Sequence, residues 1–434
     1  MYFQCPQIPW SKPFDRVGKL NRLISCSLAL LFSLSCLSQA VAVCAPQNEQ
    51  QYEEMRRKMV EVAVKGAGVT DKRVIASMLA TPRHEFVPRK IRKTQSYLDA
   101  GIPIGEKQTI SSPFIVAYMT QELKPKPTDV VLEIGTGSGY QAAILSPLVK
   151  TVYSIEIVEK LGKSAAKVLK KLEYDNVVTK IGDGYKGWAE HAPFDKIIVT
   201  CSPEDIPAPL VEQLKEGGTI IVPIGERHQQ TLYLMQKQDG KLVRTALRTT
   251  LFVPMTGTAE DKRRVLPDPL NPALDNGDFE EGLHENGFAK GWYYQRQMTL
   301  VKDEKAPSGK NFVEFKNSVP GQLSQLMQVF AIDGRKISVV KFSTSFSCEN
   351  IVVGPHRLDL PVAAISFFDE DRKELGMHLL GPHKGTKDWL SQSREIRVPH
   401  TAREGIVRIG LFGSTGTARF DNLKVEASKR IDKK

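Results

Sequence analysis

Apolar and polar positions divide the chain into stretches of different texture. Residues 23–37, LISCSLALLFSLSCL, form one apolar run. Between 50 and 80 apolar residues recur at helical spacing, first Met55, Met59, Val60 and Val64, then Val74, Met78 and Leu79 after Thr70-Asp71 as a cap. That spacing predicts two short helices. From 129 to 255 short Val/Ile-rich runs alternate with helical patterns such as 161–172 and 210–214. The runs are DVVLEIG (129–135), TVYSIEI (151–157), NVVTKIG (176–182), FDKIIVT (194–200) and GTIIVPIG (218–225). Continuous apolar strands separated by helices imply a parallel sheet covered on both faces. TLYLMQK (231–237) and TTLFVPM (249–255) predict an antiparallel pair at its end.

A boundary follows at 257–275, where Asp261, Lys262, Arg263 and Arg264 precede Pro267, Pro269 and Pro272. Beyond it, short apolar segments alternate with Gly, Asn, Asp and Pro: NFVEF (311–315), ISVVKFSTSF (337–346), AAISFFD (363–369), GIVRIGLFG (405–413) and ARFDNLKV (418–425). This spacing predicts an all-β sandwich.

Composition and charge narrow the picture. The 434 residues are 41% hydrophobic and 25% charged, which excludes wholesale disorder and leaves room for two or three domains. The net charge is +11, but Lys12, Arg16, Lys19 and Arg22 against Asp15 place +3 of it in residues 1–44. The remainder is diffuse and contains no run resembling a nucleic-acid arm, so no nucleic-acid partner is expected. Of six cysteines, Cys5, Cys26, Cys36 and Cys44 lie in or beside the leader, and only Cys201 and Cys348 fall in the folded body. Two distant cysteines make neither a zinc site nor a disulfide scaffold. Residues 1–44 read as a signal peptide, with Ala40-Val41-Ala42 before a cleavage point, or as an N-terminal anchor if left uncut.

The most informative run is Leu132-Glu133-Ile134-Gly135-Thr136-Gly137-Ser138-Gly139-Tyr140, which ends a strand and opens a helix. Alternating glycines let the backbone approach a ligand closely, although a tight strand–helix turn alone would also need them. A dinucleotide fingerprint requires glycine where Tyr140 stands, and a phosphate loop requires Gly-Lys-Ser/Thr. The loop therefore suits a nucleoside-sized ligand without a pyrophosphate. Glu156, about 20 residues on, ends the next strand, where a carboxylate reaches ribose hydroxyls. Gly182-Asp183-Gly184 ends the third strand at the same sheet edge. Either carboxylate alone also reads as a solvated acidic turn. Together with the loop they converge where S-adenosyl-L-methionine would lie.

Residues 50–256 resemble the protein-L-isoaspartate O-methyltransferase family. The matching runs are Pro103-Ile104-Gly105, Gln108-Thr109-Ile110-Ser111-Ser112-Pro113, Val116-Ala117-Tyr118-Met119, LEIGTGSGYQAA (132–143), Gly182-Asp183-Gly184, FDKIIVT, Gly217-Gly218 and Phe252-Val253-Pro254. The resemblance implies a Rossmann-like class I fold with S-adenosyl-L-methionine as methyl donor and isoaspartyl-containing proteins or peptides as acceptors. It implies Ser111 in the catalytic role, with Thr109, Ile110, Val253 and Pro254 on the acceptor. It implies Glu133, Gly135, Thr136, Gly137, Ser138, Gly139, Glu156, Asp183 and Gly184 on the cofactor. Cys201-Ser202 and Leu251 depart mildly from the family pattern.

The chemistry suits these residue types. An isoaspartyl α-carboxylate is ionised near pH 7, since its unperturbed pKa is about 3.3–3.7. It is already a nucleophile, so no general base is required. The enzyme must place it in line with the sulfonium methyl, in a site closed to water. Hydroxyls such as those of Ser111 and Thr109 can orient it without adding charge. The Ser111 hydroxyl also reads as a cap for a helix beginning near Pro113. Tyr97 and Asp99 either close over the cofactor or pack their loop.

Residues 271–428 resemble galactose-binding-like jelly rolls among carbohydrate-binding modules, through Asn276-Gly277-Asp278-Phe279-Glu280, Gly291-Trp292, Val329-Phe330, Asp388-Trp389 and Phe420-Asp421-Asn422-Leu423. In that class the first and last strands lie side by side, which would let Glu280 and Asp421 share a structural calcium. Trp292 and Trp389 read either as sugar-stacking platforms or as core. The expected division is 1–44 leader, 50–256 methyltransferase, 257–270 linker and 271–428 β-sandwich, which carries a glycan or protein ligand. The leader points to export, while family precedent is cytoplasmic. Two other readings stay open: a surface binding protein on a methyltransferase-like platform, and a methyltransferase for another carboxylate.

Overall fold

The computed structural model describes residues 47–285, 287–355 and 359–430. The leader expected at 1–44 lies outside them. Helices α1 (Gln47–Met59) and α2 (Lys72–Ala80) are the two predicted by the 50–80 pattern. Asp71 caps α2, accepting from the amides of Arg73 and Val74. A short α3 (Arg92–Gln95) leads to the hairpin β1 (Ile102–Gly105) and β2 (Gln108–Ile110), then α4 (Pro113–Leu123). Pro113 at the first turn and Ser112 as N-cap fix where α4 begins.

The central sheet contains β3 (Val130–Ile134), β4 (Thr151–Glu156), β5 (Val177–Ile181), β6 (Phe194–Val199), β7 (Leu214–Glu226), β8 (Gln229–Gln238) and β9 (Lys241–Thr250), in the order β5-β4-β3-β6-β7-β8-β9. The first five are mutually parallel, and β8 and β9 are antiparallel additions. Helices α5 (Tyr140–Leu145), α6 (Glu159–Lys171) and α7 (Ala208–Glu212) make the crossovers. The strand order reverses at β3, so the ends of β3, β4 and β6 form the crevice where open α/β sheets bind ligands.

One strand differs from its expectation. The run 249–255 is extended, but the ladder stops at Thr250. Pro254 has no amide to donate. Phe252 N donates instead to Gln230 Oε1 at 2.7 Å, and Val253 O accepts from Ser202 N at 2.8 Å. The FVP segment thus leaves the sheet and crosses the strand ends. The short helix α8 (Thr258–Asp261) also packs onto this half, and Arg263 is buried, donating to Gly225 O and Ser202 O.

The C-terminal part is a sandwich of two antiparallel five-stranded sheets. One is β10 (Tyr293–Arg296), β13 (Gln325–Ala331), β18 (Glu404–Gly410), β15 (Val362–Phe368) and β16 (Glu374–Leu380). The other is β11 (Met298–Lys302), β12 (Asn311–Asn317), β19 (Thr415–Arg430), β14 (Ile337–Val352) and β17 (Gly385–Arg397). Phe279, Trp292, Phe315, Phe342, Phe346, Phe367 and Phe420 fill the space between them. The last strand, β19, pairs with β12 and β14, not with the first strand. The 276–280 segment reaches β19 as a turn, where Leu423 N donates to Gly277 O at 2.8 Å.

Candidate active site

A cleft enclosing about 800 Å³ of space, part of it open solvent, lies at the carboxyl ends of β3, β4 and β6. One wall is the β2–α4 connection with Thr109, Ile110 and Ser111. The glycine loop forms the floor with Gly135, Thr136, Gly137 and Ser138, and the opposite rim is Phe252-Val253-Pro254. Glu156 and Gly184 close the far end. Of the residues expected at the site, these come together around one space.

The glycines are there for contact. Gly135 has φ +97°, and a Cβ on it would sit 2.6 Å from Thr200 Oγ1. Thr200 is fixed in turn, donating to Gly135 O at 2.7 Å. A Cβ on Gly184 would lie 2.4 Å from Ile134 Cγ2. Only glycine leaves this cradle open to a ligand. Glu156 accepts from Gly137 N at 2.7 Å and Val158 N at 2.9 Å, so its carboxylate ties the loop to the next strand. Burial raises its pKa, and the amide hydrogen bonds oppose that rise. A carboxylate has about four acceptor positions. The amides of Gly137, Val158 and Ile157 do not use all of them, which leaves room for a hydroxyl donor.

Three expected cofactor residues stand elsewhere. Glu133 is wholly buried beneath the loop, because its position on β3 points into the layer between sheet and helices. Its Oε2 accepts from Ser154 Oγ, and Ser154 Oγ lies 2.6 Å from Thr136 Oγ1. Burial first, then the charge of Glu156, pushes its pKa up to about 8, against the hydrogen bond from Ser154. Gly139, at φ +91°, starts α5 and lies against Leu169, where a Cβ would come within 3.2 Å. Asp183 turns from the cleft and accepts from Thr258 Oγ1 at 2.6 Å and Tyr185 N at 2.9 Å. Its neighbour Gly184, not Asp183, lines the site.

The Ser111 ambiguity resolves in the geometry. Ser112 Oγ accepts from Ile115 N at 3.4 Å and is the helix cap, while Ser111 lines the cleft. Tyr97 does not close over it, being buried with its hydroxyl 2.8 Å from His84 Nδ1. Asp99 accepts from Phe114 N at 3.1 Å. Cys201 lines the cleft as a small buried thiol whose pKa burial raises.

Other contributors carried no sequence signal. Arg83 is fully buried, donates to Ser111 O at 2.8 Å and Ser96 O at 2.9 Å, and lies 4.7 Å from the Tyr140 ring. It fixes the Ser111 backbone from behind. Gly162 on α6 brings that helix against β4, where a Cβ would be 3.4 Å from Glu156 Cβ. Among the described residues lining the cleft, Glu156 is the sole charged side chain.

A doubly wound sheet whose glycine loop and acidic strand end open onto one cleft at the switch point defines a class I S-adenosylmethionine-dependent methyltransferase. The family model "Protein-L-isoaspartate(D-aspartate) O-methyltransferase" matches residues 54–260. The protein-L-isoaspartate O-methyltransferase of Opitutus terrae is 48% identical over 225 residues, 52% of this chain and 96% of its own length. That of Nitrosospira multiformis is 49% identical over 216 residues, 49% of this chain and 91% of its own. A solved Plasmodium falciparum structure, titled a putative protein-L-isoaspartate O-methyltransferase in complex with S-adenosyl-L-homocysteine, is 26% identical. It covers 46% of this chain and 98% of its own, with a TM-score of 0.42. The chain belongs to the protein-L-isoaspartate O-methyltransferase family.

Proposed function

We propose that the chain methylates the free α-carboxylate of L-isoaspartyl residues in damaged proteins or peptides, with Ser111 as the catalytic side chain. The carrying observation is the polarity of the cleft. It holds hydroxyls and backbone amides, and among its described lining residues no histidine, lysine or aspartate. Its one charged side chain, Glu156, is held by the Gly137 and Val158 amides at the far end, so no base stands beside Ser111, which suits an acceptor that arrives as an anion. S-adenosyl-L-methionine, when bound, supplies an electrophilic sulfonium methyl. Glu156 and the Gly135–Gly137 backbone bind it, the cradle at Gly135 and Gly184 fits it closely, and Ser138 adds a hydroxyl. Ser111 and Thr109 orient one carboxylate oxygen, whose own lone pair forms the new O–C bond as the S–CH3 bond breaks and its electron pair stays on the departing thioether, S-adenosyl-L-homocysteine, so no proton moves. Ile110, Val253 and Pro254 exclude water and hold the flanking peptide. The test is methyl transfer to an isoaspartyl peptide beside its aspartyl twin. Equal transfer to both would favour a methyltransferase of another carboxylate.

The division into leader 1–44, methyltransferase 50–256, linker 257–270 and jelly roll 271–428 belongs to the same proposal. Asp183 bonding to Thr258 and the burial of Arg263 support moving the domain edge a few residues into that linker. No described helix is long and apolar enough to cross a membrane. Protease protection in intact cells tests whether 1–44 exports or anchors the chain. For the glycan reading, Trp292 drops out: it is fully buried, donating to Asn276 O at 3.0 Å. Trp389, half-buried and edge-on to Phe312 at 5.3 Å, is left to meet a sugar.

Calcium between Glu280 and Asp421 has partial support. Both carboxylates address the 308–311 loop, Asp421 accepting from Ser308 N and Glu280 from Lys310 N and Asn311 N. Burial, with Asp278 and Glu280 adding to it, pushes Asp421 up to about 6. The described residues offer no group of three or more His, Cys, Asp or Glu side chains for a metal, so backbone oxygens would supply most ligands. Added calcium should raise Tm if the ion binds; an unchanged Tm removes it.

A further inference from the structure

We propose that residues 292–296 of the sandwich brace the acceptor mouth of the methyltransferase cleft, and that Arg296 is a positioning residue acting on Ser111 through Asp99 and the first turn of α4. The inference rests on the proposed reaction at that cleft. Ser111 is followed at once by the cap Ser112 and by Pro113-Phe114, the start of α4. Phe114 N donates to Asp99 Oδ1 at 3.1 Å, and the other oxygen of Asp99 forms an ion pair with Arg296 Nη1. Both side chains are about nine-tenths buried, with relative exposures of 9% and 10%. The Arg296 guanidinium lies 4.7 Å from the centre of the Phe114 ring, and that of Arg248 lies 4.6 Å from the same ring. Tyr294 enters the methyltransferase core cluster, its phenol reaching the Ser112 side chain.

The same sandwich segment holds the opposite wall. Thr249 Oγ1, at the end of β9, donates to Trp292 O at 2.6 Å. Gln295 donates back to Thr249 Oγ1 at 3.4 Å and to Trp292 O at 2.8 Å. Three residues after Thr249 the chain becomes Phe252-Val253-Pro254, the second rim of the cleft. One short stretch of the C-terminal domain therefore touches the chain immediately flanking both acceptor walls, at Asp99, Ser112 and Phe114 on one side and at Thr249 on the other. Arg296 lies beyond the residues matched to the methyltransferase family. A planar guanidinium is what this place uses, pairing with a carboxylate and stacking on an aromatic face at once.

The consequence is a split between acceptor chemistry and cofactor binding. In the full chain, Arg296→Met should lower kcat on an isoaspartyl peptide about tenfold or more, since small misplacements of a positioned group have effects of that size. The Kd for S-adenosyl-L-homocysteine should stay unchanged. Asp99→Asn, which keeps an acceptor for Phe114 N, should be non-additive with it, because both act through one contact. Wild-type kcat in Arg296→Met, or strictly additive losses, would overturn the proposal. Should Arg296→Met fail to bind S-adenosyl-L-homocysteine, Arg296→Lys decides. It keeps a cation but cannot stack flat, so a several-fold loss of kcat is expected and wild-type kcat overturns the brace. If the wild-type chain shows no isoaspartyl selectivity, the proposed function fails, and the brace is then read from hydrogen exchange of residues 108–114. Faster exchange in Arg296→Met supports it, and unchanged exchange overturns it.

Discussion

Glu133→Gln tests whether Glu133 supports the glycine loop from below as a neutral acid. Its carboxyl is pushed up to about 8 from an ordinary 4.5, so the folded chain keeps a proton that the unfolded chain has released. Stability therefore falls as pH rises from about 4.5 through about 8, and levels off above. The span of 3.5 units between those values corresponds to roughly 5 kcal/mol at 1.36 kcal/mol per unit, an order-of-magnitude figure. Glutamine removes that dependence but adds an amide donor where Glu133 Oε1 has no hydrogen-bond partner, at a cost of roughly 1–3 kcal/mol. The two effects cross. Near pH 5.5 the variant should match or trail the wild type, and near pH 8 it should exceed it by roughly 2–4 kcal/mol. Urea unfolding read by hydrogen exchange of β3 and β4 peptides isolates this half of the molecule. Parallel pH curves with a constant offset would refute a protonated Glu133 and return it to a charged role.

Three further outcomes follow from the geometry. Ser111→Ala should reduce kcat about tenfold or more, ~1.4 kcal/mol of transition-state stabilisation, and leave S-adenosyl-L-homocysteine affinity in calorimetry intact; an unchanged kcat removes Ser111 from the mechanism. Gly135→Ala places a side chain at φ +97° against Thr200 Oγ1 and should weaken that affinity about tenfold or more. Thr200→Ala in the same chain should recover part of it, and no recovery would mean the contact is not the cause. Glu404 is held down to about 2 despite its burial, by the His228 hydrogen bond first and then by Arg372 and Arg227. Its stabilising effect is complete above pH 4.5 and lost as pH falls toward 2, so Glu404→Gln should lose roughly 3 kcal/mol at pH 7. The urea midpoints of the two chains should converge as pH falls to about 2; a gap that stays undiminished there would contradict the assignment.

The alternation of apolar runs made the parallel sheet legible, because strands buried on both faces carry little else. The glycine loop, Glu156 and the β2–α4 segment were legible because each needs a particular residue type at one place. Three features were not. TTLFVPM looks like a strand by composition, yet Pro254 and the side chain of Gln230 end its ladder at Thr250. Glu133 looks like a ligand residue, but strand alternation sends it inward, and a linear reading of the loop does not register that. Arg83 and Arg296 act on Ser111 from 28 and 185 residues away in sequence, through backbone oxygen and through Asp99. Such contacts depend on tertiary packing, and no local pattern marks them.

The cleft, with no base beside Ser111, methylates a carboxylate that arrives ionised, and distinguishes it by its place in the chain. Radiolabelled methyl transfer from S-adenosyl-L-methionine to matched peptides tests this directly. The isoaspartyl peptide should be methylated and its aspartyl twin should not. Equal labelling of both, or labelling of neither, would contradict this activity.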